Sequence, residues 1–211
     1  CGAEAGGLVG YWAFDGDLQD AVGGRRAGGE MPEFAPGVVG QAAQFNWKLV
    51  EVPSAPELQL HPGLIIDCWV RFERRPEGWH PLVVKDQEYQ LRVDPAHEGG
   101  RFSFFVFLKG WEPRVAVGAP DPGRWQHLVA RWDGTEISLE VDGERASVRR
   151  VGPAVPTDNP VRIGGTDGSL DELRIFNPRY LTQLRLRELV ATASQGQRVT
   201  AVDFGGEAGW T

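Results

Sequence analysis

The fold is decided by the stretch from residue 125 to residue 149, which reads WQHLVARWDGTEISLEVDGERASVR. Apolar and polar residues alternate through it, as they do in strands with one face on a core. Two Asp-Gly pairs interrupt the alternation, Asp133-Gly134 and Asp142-Gly143. Asp-Gly favours the two-residue turns whose twist matches that of paired strands. The stretch therefore predicts three consecutive antiparallel strands joined by tight hairpins.

Similar short strands are predicted on both sides of this stretch. Each is an apolar or alternating run that ends near Gly, Pro, Asp or Asn. The predicted strands are Leu8–Phe14, Gln41–Phe45, Lys48–Val52, Ile65–Phe72, Pro81–Lys85, Tyr89–Val93, Arg101–Leu108, Arg114–Val117, Trp125–Trp132, Glu136–Val141, Glu144–Arg149, Val161–Ile163 and Leu170–Phe176. This pattern indicates an all-β sandwich or barrel. Tyr180–Val190 has leucines at helical spacing and predicts one short C-terminal helix.

Composition and charge argue against two classes of protein. The chain has 211 residues and a formal net charge of −7, so the phosphate backbone of a nucleic acid would repel it on average. No apolar run approaches the roughly 20 residues that a membrane-spanning helix needs. We therefore expect no nucleic-acid partner and no membrane-spanning helix.

The two cysteines have different expected roles. The chain begins with Cys1 rather than Met, as a bacterial lipoprotein does once its signal peptide is removed, and Gly2–Gly7 then forms a short flexible tether. We expect an exported protein on the periplasmic or cell-surface side, anchored to the membrane by a lipid on Cys1. The alternative is a domain excised from a longer chain. Cys68 alternates with Ile66 and Val70 on an apolar face, which predicts a buried free thiol.

Several short motifs occur in an order that resembles laminin-G-like, concanavalin A-like jelly-roll domains. The motifs are Leu8–Gly16 followed by Asp20, Gly40–Phe45, Val50–Pro53, Ile66–Val70, Trp125–Val129, Val141–Gly143, Ile163–Gly165 and Leu170–Phe176. The resemblance implies a two-sheet antiparallel jelly-roll sandwich with one short C-terminal helix. We assign residues 1–7 to the tether, 8–193 to the jelly-roll domain and 194–211 to a C-terminal tail. The resemblance says less about function, because this fold hosts lectins, adhesion domains, hydrolases and lyases.

One string suggests glycoside hydrolysis, but its context argues against that activity. Some β-jelly-roll glucanases carry Glu-x-Asp-x-Glu on one strand, where the two-residue period puts the carboxylates on one face. The chain contains Glu140-Val141-Asp142-Gly143-Glu144. Because Asp142-Gly143 is a predicted turn, Glu144 falls on the returning strand. No histidine pair has metal-ligand spacing and no Gly-x-Ser-x-Gly motif is present, so we do not expect an enzyme.

Aspartates near the first and last strands suggest a calcium site. Calcium takes about six to eight oxygen ligands from carboxylates and backbone carbonyls. Asp15, Asp17 and Asp20 lie in the first loop, and Asp171 opens the last strand. The resembled fold brings these strands together, and related domains often hold a structural calcium there. We expect Asp15, Asp20 and Asp171 as ligands; the alternative is that the loop aspartates form turns with nearby backbone amides.

The eight tryptophans divide into core and surface candidates. Trp12, Trp69, Trp125 and Trp132 fall inside predicted strands and are expected in the core, as is His127, a hydrogen-bonded residue in mid-strand. The surface candidates are the loop residues Trp47, Trp79 and Trp111 and the tail residue Trp210. An exposed indole is a platform for a sugar ring or for an apolar side chain of a partner. The alternative is that the loop rings fold back over the edge of the sandwich.

These observations favour a non-catalytic recognition module. The chain has 19 Arg and 3 Lys, and arginine is enriched at protein interfaces. The tail also carries apolar residues, among them Phe204 and Trp210. We therefore rank an interaction or accessory structural subunit at the cell envelope, with a protein partner, ahead of a glycan-binding, lectin-like module. A glycoside hydrolase or lyase ranks last.

Overall fold

The structure, a computed structural model, describes residues 7–178 of the chain. Fifteen strands and two short 3-10 helices, Pro56–Leu58 and Ala96–Glu98, lie in this range. The strands are β1 (Leu8–Trp12), β2 (Gly28–Gly29), β3 (Glu33–Pro36), β4 (Gln41–Gln44), β5 (Leu49–Val52), β6 (Leu64–Arg71), β7 (His80–Lys85), β8 (Tyr89–Val93), β9 (Phe102–Val106), β10 (Val115–Val117), β11 (Gln126–Trp132), β12 (Glu136–Val141), β13 (Glu144–Arg149), β14 (Val161–Gly164) and β15 (Ser169–Phe176). Strands are therefore the main regular elements in the described part of the chain.

The strands form two sheets that pack face to face as a sandwich. The eight-stranded sheet has the order β13-β12-β11-β6-β15-β4-β3, and β1 also pairs with β15. The seven-stranded sheet has the order β10-β9-β8-β7-β14-β5-β2. All the pairs between these strands are antiparallel. The antiparallel jelly-roll sandwich expected from the sequence is confirmed.

Alternate residues of the strands fill one core between the sheets. Along β6, Ile66, Cys68 and Val70 are fully buried, as the two-residue period of a strand requires. Cys68 is a buried free cysteine, as expected. Two large side chains, Trp12 and Trp132, are also buried in this core, which confirms their sequence-based assignment.

Trp69, Trp125 and His127 do not lie in the core, which corrects the expectation from sequence. Because Cys68 faces inward, Trp69, the next residue of β6, faces outward. His127 lies opposite Trp69 in the register of β11 and β6, and the two rings stack with centroids 4.8 Å apart. His127 is hydrogen-bonded as expected, with its Nε2 3.0 Å from Asp67 Oδ1, but it is partly exposed. Trp125 precedes β11 and is half-buried.

Both predicted hairpins form, although three residues, 133–135, connect the first pair of strands where a two-residue turn was expected. β11 pairs with β12, and β12 pairs with β13. At the second turn, Asp142 and Gly143 have φ angles of 51° and 89°, which is the pair of positive values that a type I′ turn needs. Asp142 Oδ1 also accepts a hydrogen bond from the backbone N–H of His127 at 2.9 Å. The turn therefore connects β12 to β13 and is anchored to β11.

Several expectations concern residues outside the range 7–178. They are the helix over Tyr180–Val190, the tail over 194–211 with Trp210, and the lipid on Cys1. These expectations stay predictions. No helix within residues 7–178 has the length and hydropathy of a membrane span.

Candidate ligand-binding site

Two tryptophans expected at the surface are exposed there, and each lines a cleft. Trp79, just before β7, is 60% exposed, and Trp47, in the turn from β4 to β5, is 56% exposed. Trp111 instead follows the alternative expectation and folds back onto the sandwich. Its ring centroid lies 5.0 Å from that of Phe107 and 6.4 Å from that of Phe105. Among the described residues, Trp47 and Trp79 therefore remain as candidate ligand platforms.

The cleft beside Trp79 lies on the outer face of the seven-stranded sheet and has a volume of about 280 Å³. We call it the Trp79 cleft. Its lining residues are Leu49, Trp79, Pro81, Val84, Asp86, Gln90, Arg92, Arg162, Gly164 and Gly165. An apolar surface with a few convergent polar groups is typical of a site for a small ligand.

Cross-strand pairing places these side chains on one face. In the strand registers, Val84 of β7 lies opposite both Gln90 of β8 and Arg162 of β14. Pro81 of β7 lies opposite Arg92 of β8. Residues directly opposite each other on paired strands point to the same side of a sheet. The cleft is therefore built on strands that the core holds from the other side.

The Trp79 ring is supported by alternating aromatic and guanidinium groups. Arg92 Cζ lies 5.0 Å from the centroid of the Trp79 ring and 4.3 Å from that of Phe105. Arg114 Cζ lies 5.5 Å from the Phe105 centroid. Each such cation–π contact contributes about 0.5–2 kcal/mol, depending on exposure. Arg92 thus supports one face of the Trp79 indole, and the exposed surface of this ring is available to a ligand.

A buried carboxylate fixes both guanidinium groups. Asp94, at the end of β8, accepts a hydrogen bond at Oδ1 from Arg92 Nε at 2.9 Å, and its Oδ2 lies 3.0 Å from Arg114 Nε. The Ser103 hydroxyl donates to Asp94 Oδ2, and Glu98 lies 3.1 Å from Arg114 Nη2. Because contacts within the chain hold both guanidinium groups, the support for Trp79 is preorganised, and less conformational entropy is lost on binding.

The polar side chains of the Trp79 cleft are suited to bind hydroxyl groups. Arg162 pairs with Asp86, which sets donors and acceptors side by side, and the Gln90 amide supplies both. Asp86 is the one carboxylate among the residues that line the cleft. Glycosidases generally need two, one as acid and one as nucleophile or base. The Trp79 cleft therefore offers hydrogen-bond donors and acceptors beside a single lining carboxylate.

A second cleft, of about 350 Å³, lies beside Trp47, and we call it the Trp47 cleft. Its lining residues are Trp47, Arg74, Arg75, Pro76, Glu77, Gly78, His80 and Asp167. The Trp47 ring lies 4.8 Å from the ring of buried His80. His80 Nδ1 is 3.1 Å from both Thr166 Oγ1 and Asp167 Oδ1. The imidazole that supports Trp47 is therefore itself held in place.

His80 predicts a dependence of stability on pH. Burial lowers the pKa of His80, and the Asp167 carboxylate opposes this effect. The unfolded chain, in which a histidine has a pKa of about 6.5, therefore binds this proton more readily than the folded chain. Neutral His80 therefore contributes stability above about pH 6.5, the pKa of the unfolded state. This contribution is lost as the pH falls toward the lower pKa of the folded state.

We expect the free energy of unfolding to fall between about pH 7 and pH 5, and to fall less in His80→Gln than in the wild-type protein. Glutamine keeps a hydrogen-bonding side chain but does not titrate. Urea unfolding at both pH values measures the two differences. An equal fall in both proteins would show that His80 does not carry the effect.

Both carboxylate oxygens of Asp20, an expected calcium ligand, have partners within the chain. Its Oδ1 accepts hydrogen bonds from the backbone N–H groups of Tyr11, Val22 and Gly23. Its Oδ2 pairs with Arg25 at 2.6 Å. With these donors in place and a guanidinium beside it, Asp20 has the turn-forming role that was the alternative.

Asp15 and Asp171 both hold the loop between β3 and β4. Asp15 Oδ1 accepts the N–H of Gln41 at 2.6 Å, and Asp171 Oδ2 accepts those of Val38 and Val39 at 2.6 and 3.1 Å. Burial raises the pKa of Asp171, against the effect of these two hydrogen bonds. Its Oδ1 is buried without a hydrogen-bond partner, yet no group of three or more His, Cys, Asp or Glu within residues 7–178 is placed to hold a metal. Calcium stays a prediction, which unfolding temperatures in calcium and in chelator would test.

The hairpin separates the carboxylates of the glucanase-like string, as expected. Glu140 lies on β12, 3.8 Å from Arg131. Asp142 lies in the turn and pairs with Arg124 at 2.8 Å. Glu144 begins β13 and is exposed. The three carboxylates therefore do not line one face of one strand.

We expect no hydrolysis of β-glucans by the wild-type protein, and none by Glu140→Gln, because the string lacks the acid and nucleophile geometry. Release of reducing ends from mixed-linkage β-glucan and laminarin measures this. Glu136→Gln, a change on the same strand, is the matched control. Turnover in the wild-type and Glu136→Gln proteins that is lost in Glu140→Gln would contradict the expectation.

The residues that surround Trp79 were not found from the sequence. Arg92, Phe105 and Arg162 lie inside strands, and their common site depends on which strands pair. The available signal was the alternation of Tyr89–Val93, which places Gln90 and Arg92 together on its polar face.

Solved structures with a similar fold come from several kinds of protein. Domain 4 of AbnA, an extracellular GH43 arabinanase from Geobacillus stearothermophilus solved in complex with arabinotriose, is 20% identical, with a TM-score of 0.61 over 85% of this chain and 98% of that chain. The receptor-binding domain of botulinum neurotoxin mosaic serotype C/D is 9% identical, with a TM-score of 0.65 over 81% of this chain and 47% of that chain. Trypanosoma rangeli sialidase is 18% identical, with a TM-score of 0.58 over 82% of this chain and 32% of that chain. At these identities the likeness shows the fold alone.

Sequence comparison identifies the family. No curated protein sequence matches the chain significantly. A family model described as the concanavalin A-like lectin/glucanases superfamily matches residues 49–186, which is well over half of the chain. The matched range includes the strands that build both clefts. The chain therefore belongs to the concanavalin A-like lectin/glucanase superfamily.

Proposed function

We propose that this protein is a non-catalytic glycan-binding module and that its glycan lies in the Trp79 cleft. The observation that carries the proposal is the Trp79 indole, which is 60% exposed and packs on Arg92. Sugar rings present an apolar C–H face together with hydroxyl groups. An indole beside Gln90, Asp86 and Arg162 is complementary to both.

A neighbour of the same fold supports a glycan as the ligand. The arabinanase domain, 98% of which the comparison covers, was solved in complex with arabinotriose. The support is one of analogy, since fold alone does not determine function. It agrees with the chemistry of the Trp79 cleft.

The excess of arginine over lysine is weaker evidence for a protein partner than the residue counts alone suggest. Ten arginines in the described part of the chain form ion pairs with carboxylates of the same chain. Guanidinium groups paired in this way are less available to a partner. We therefore place glycan binding ahead of docking to a protein. Export and a lipid on Cys1, which would hold the module at the cell envelope, remain part of the proposal on the evidence of the sequence.

A glycan array probed with a multivalent fusion of the protein tests the proposal. Multivalent display keeps a weak single site occupied long enough to detect. We expect retention on a restricted set of neutral oligosaccharides, with arabino-oligosaccharides included on the array. If no glycan is retained above the level of a fusion that carries Trp79→Ala, the proposal is wrong.

A further inference from the structure

The two clefts adjoin each other. The same three chain segments, 47–49, 78–81 and 164–167, contribute to both. Gly78 and His80 line the Trp47 cleft, and the residues that alternate with them, Trp79 and Pro81, line the Trp79 cleft. Successive side chains of an extended segment point to opposite sides, so these segments form the wall between the two clefts.

Trp47 is held outward at a cost in backbone strain. The turn from Phe45 to Lys48 closes with a hydrogen bond from Lys48 N–H to Phe45 O at 2.8 Å. Its two central residues, Asn46 and Trp47, have φ angles of 47° and 67°. Asn tolerates this left-handed conformation, whereas the Cβ of a Trp clashes with the following carbonyl oxygen in it. Strained residues of this kind cluster at ligand sites, so the strain is a second observation that points to Trp47 as a contact residue.

The charges in both clefts are matched, which favours a neutral ligand. Two arginines and two carboxylates line the Trp47 cleft, and Arg74 Nε lies 3.4 Å from Asp167 Oδ2. In the Trp79 cleft, Arg162 pairs with Asp86, and Arg92 pairs with Asp94 beneath it. A carboxylated or sulfated sugar would meet carboxylates in both places. Hydroxyl groups can use the donors and acceptors of these pairs without displacing a charge.

We propose that one neutral oligosaccharide occupies both clefts, with one sugar ring on Trp79 and a later ring of the same chain on Trp47. This inference rests on the proposed function and adds to it the length and charge class of the ligand. The second contact forms at high effective concentration once the first ring is bound, so affinity increases with the length of the oligosaccharide.

Isothermal titration with neutral arabino-oligosaccharides, from disaccharide to hexasaccharide, tests this inference, with xylo- and cello-oligosaccharides in parallel. We expect the wild-type protein to bind the longest members about tenfold more tightly than the shortest, the increase that about 1.4 kcal/mol of added contact gives. Trp47→Gly is expected to bind the shortest members as the wild-type protein does and to lose the increase with length. Trp47→Phe, which keeps a ring, is expected to retain most of it.

Thermal unfolding provides the folding control, because glycine relieves the positive φ at position 47. We expect the unfolding temperature of Trp47→Gly to equal or exceed that of the wild-type protein. If the wild-type protein binds these sugars and Trp47→Gly binds each length as tightly as the wild-type protein does, the Trp47 contact is wrong and the Trp79 cleft stands. If the wild-type protein binds none of the series and no glycan on the array, the proposed function itself fails.

Discussion

Lys85→Met is expected to lower the free energy of unfolding by about 3–5 kcal/mol, the loss that follows when one partner of a buried ion pair is removed. Lys85 and Glu88 are both fully buried, with Lys85 Nζ 2.8 Å from Glu88 Oε1. Lys85 Nζ also donates to the carbonyl of Thr157 at 3.0 Å. Methionine has a similar volume but leaves the Glu88 carboxylate buried without its counter-charge.

The matched control is Lys48→Met, which removes an exposed pair. Lys48 Nζ lies 3.7 Å from Glu33, and both side chains are partly exposed. Pairs of this kind contribute about 0–1 kcal/mol. Urea denaturation of the three proteins measures the two differences. A loss in Lys85→Met no larger than that in Lys48→Met would mean that the buried pair does not anchor the hairpin of β7 and β8, on which the Trp79 cleft is built.

Trp79→Ala is expected to weaken glycan binding at least about thirtyfold. Truncation of an aromatic residue that carries much of the binding energy costs about 2 kcal/mol or more, which corresponds to this factor. The substitution removes the sugar platform and the ring that packs on Arg92. Because Trp79 is 60% exposed, the cost in folding stability is expected to be small.

Trp69→Ala is the control for this prediction. Trp69 also stacks on a neighbouring side chain, that of His127, but it lies on the outer face of the opposite sheet. We expect its substitution to leave glycan affinity unchanged in isothermal titration. Equal losses in Trp69→Ala and Trp79→Ala, or no loss in either, would refute a site in the Trp79 cleft.

Local signals predicted the framework of the sandwich well. Asp142-Gly143 specifies its turn through the φ angles that these two residues tolerate, and no distant contact is needed. The burial of Cys68 followed from alternation along one strand. The same alternation places Trp69 on the outer face, so a position inside a predicted strand was not enough to predict burial.

The candidate site was harder to predict from the sequence than the fold, because it depends on contacts between distant segments. Trp79 could be identified because it follows Gly78 in a loop. The role of Arg92 depends on its register with Pro81 on one side and Ser103 on the other, which local sequence does not determine. The pairing of Asp20 with Arg25 was missed for a related reason, since this contact is recognisable only once the loop is folded.

The most direct measurement of the central claim uses the indole N–H signals of the eight tryptophans in a ¹⁵N NMR titration with a neutral oligosaccharide that the glycan array retains. Single Trp→Phe substitutions assign the signals. Glycan binding in the Trp79 cleft predicts that the Trp79 indole signal shifts with glycan concentration, whereas that of Trp69 stays in place. A titration in which the Trp69 signal shifts and the Trp79 signal does not would contradict the account.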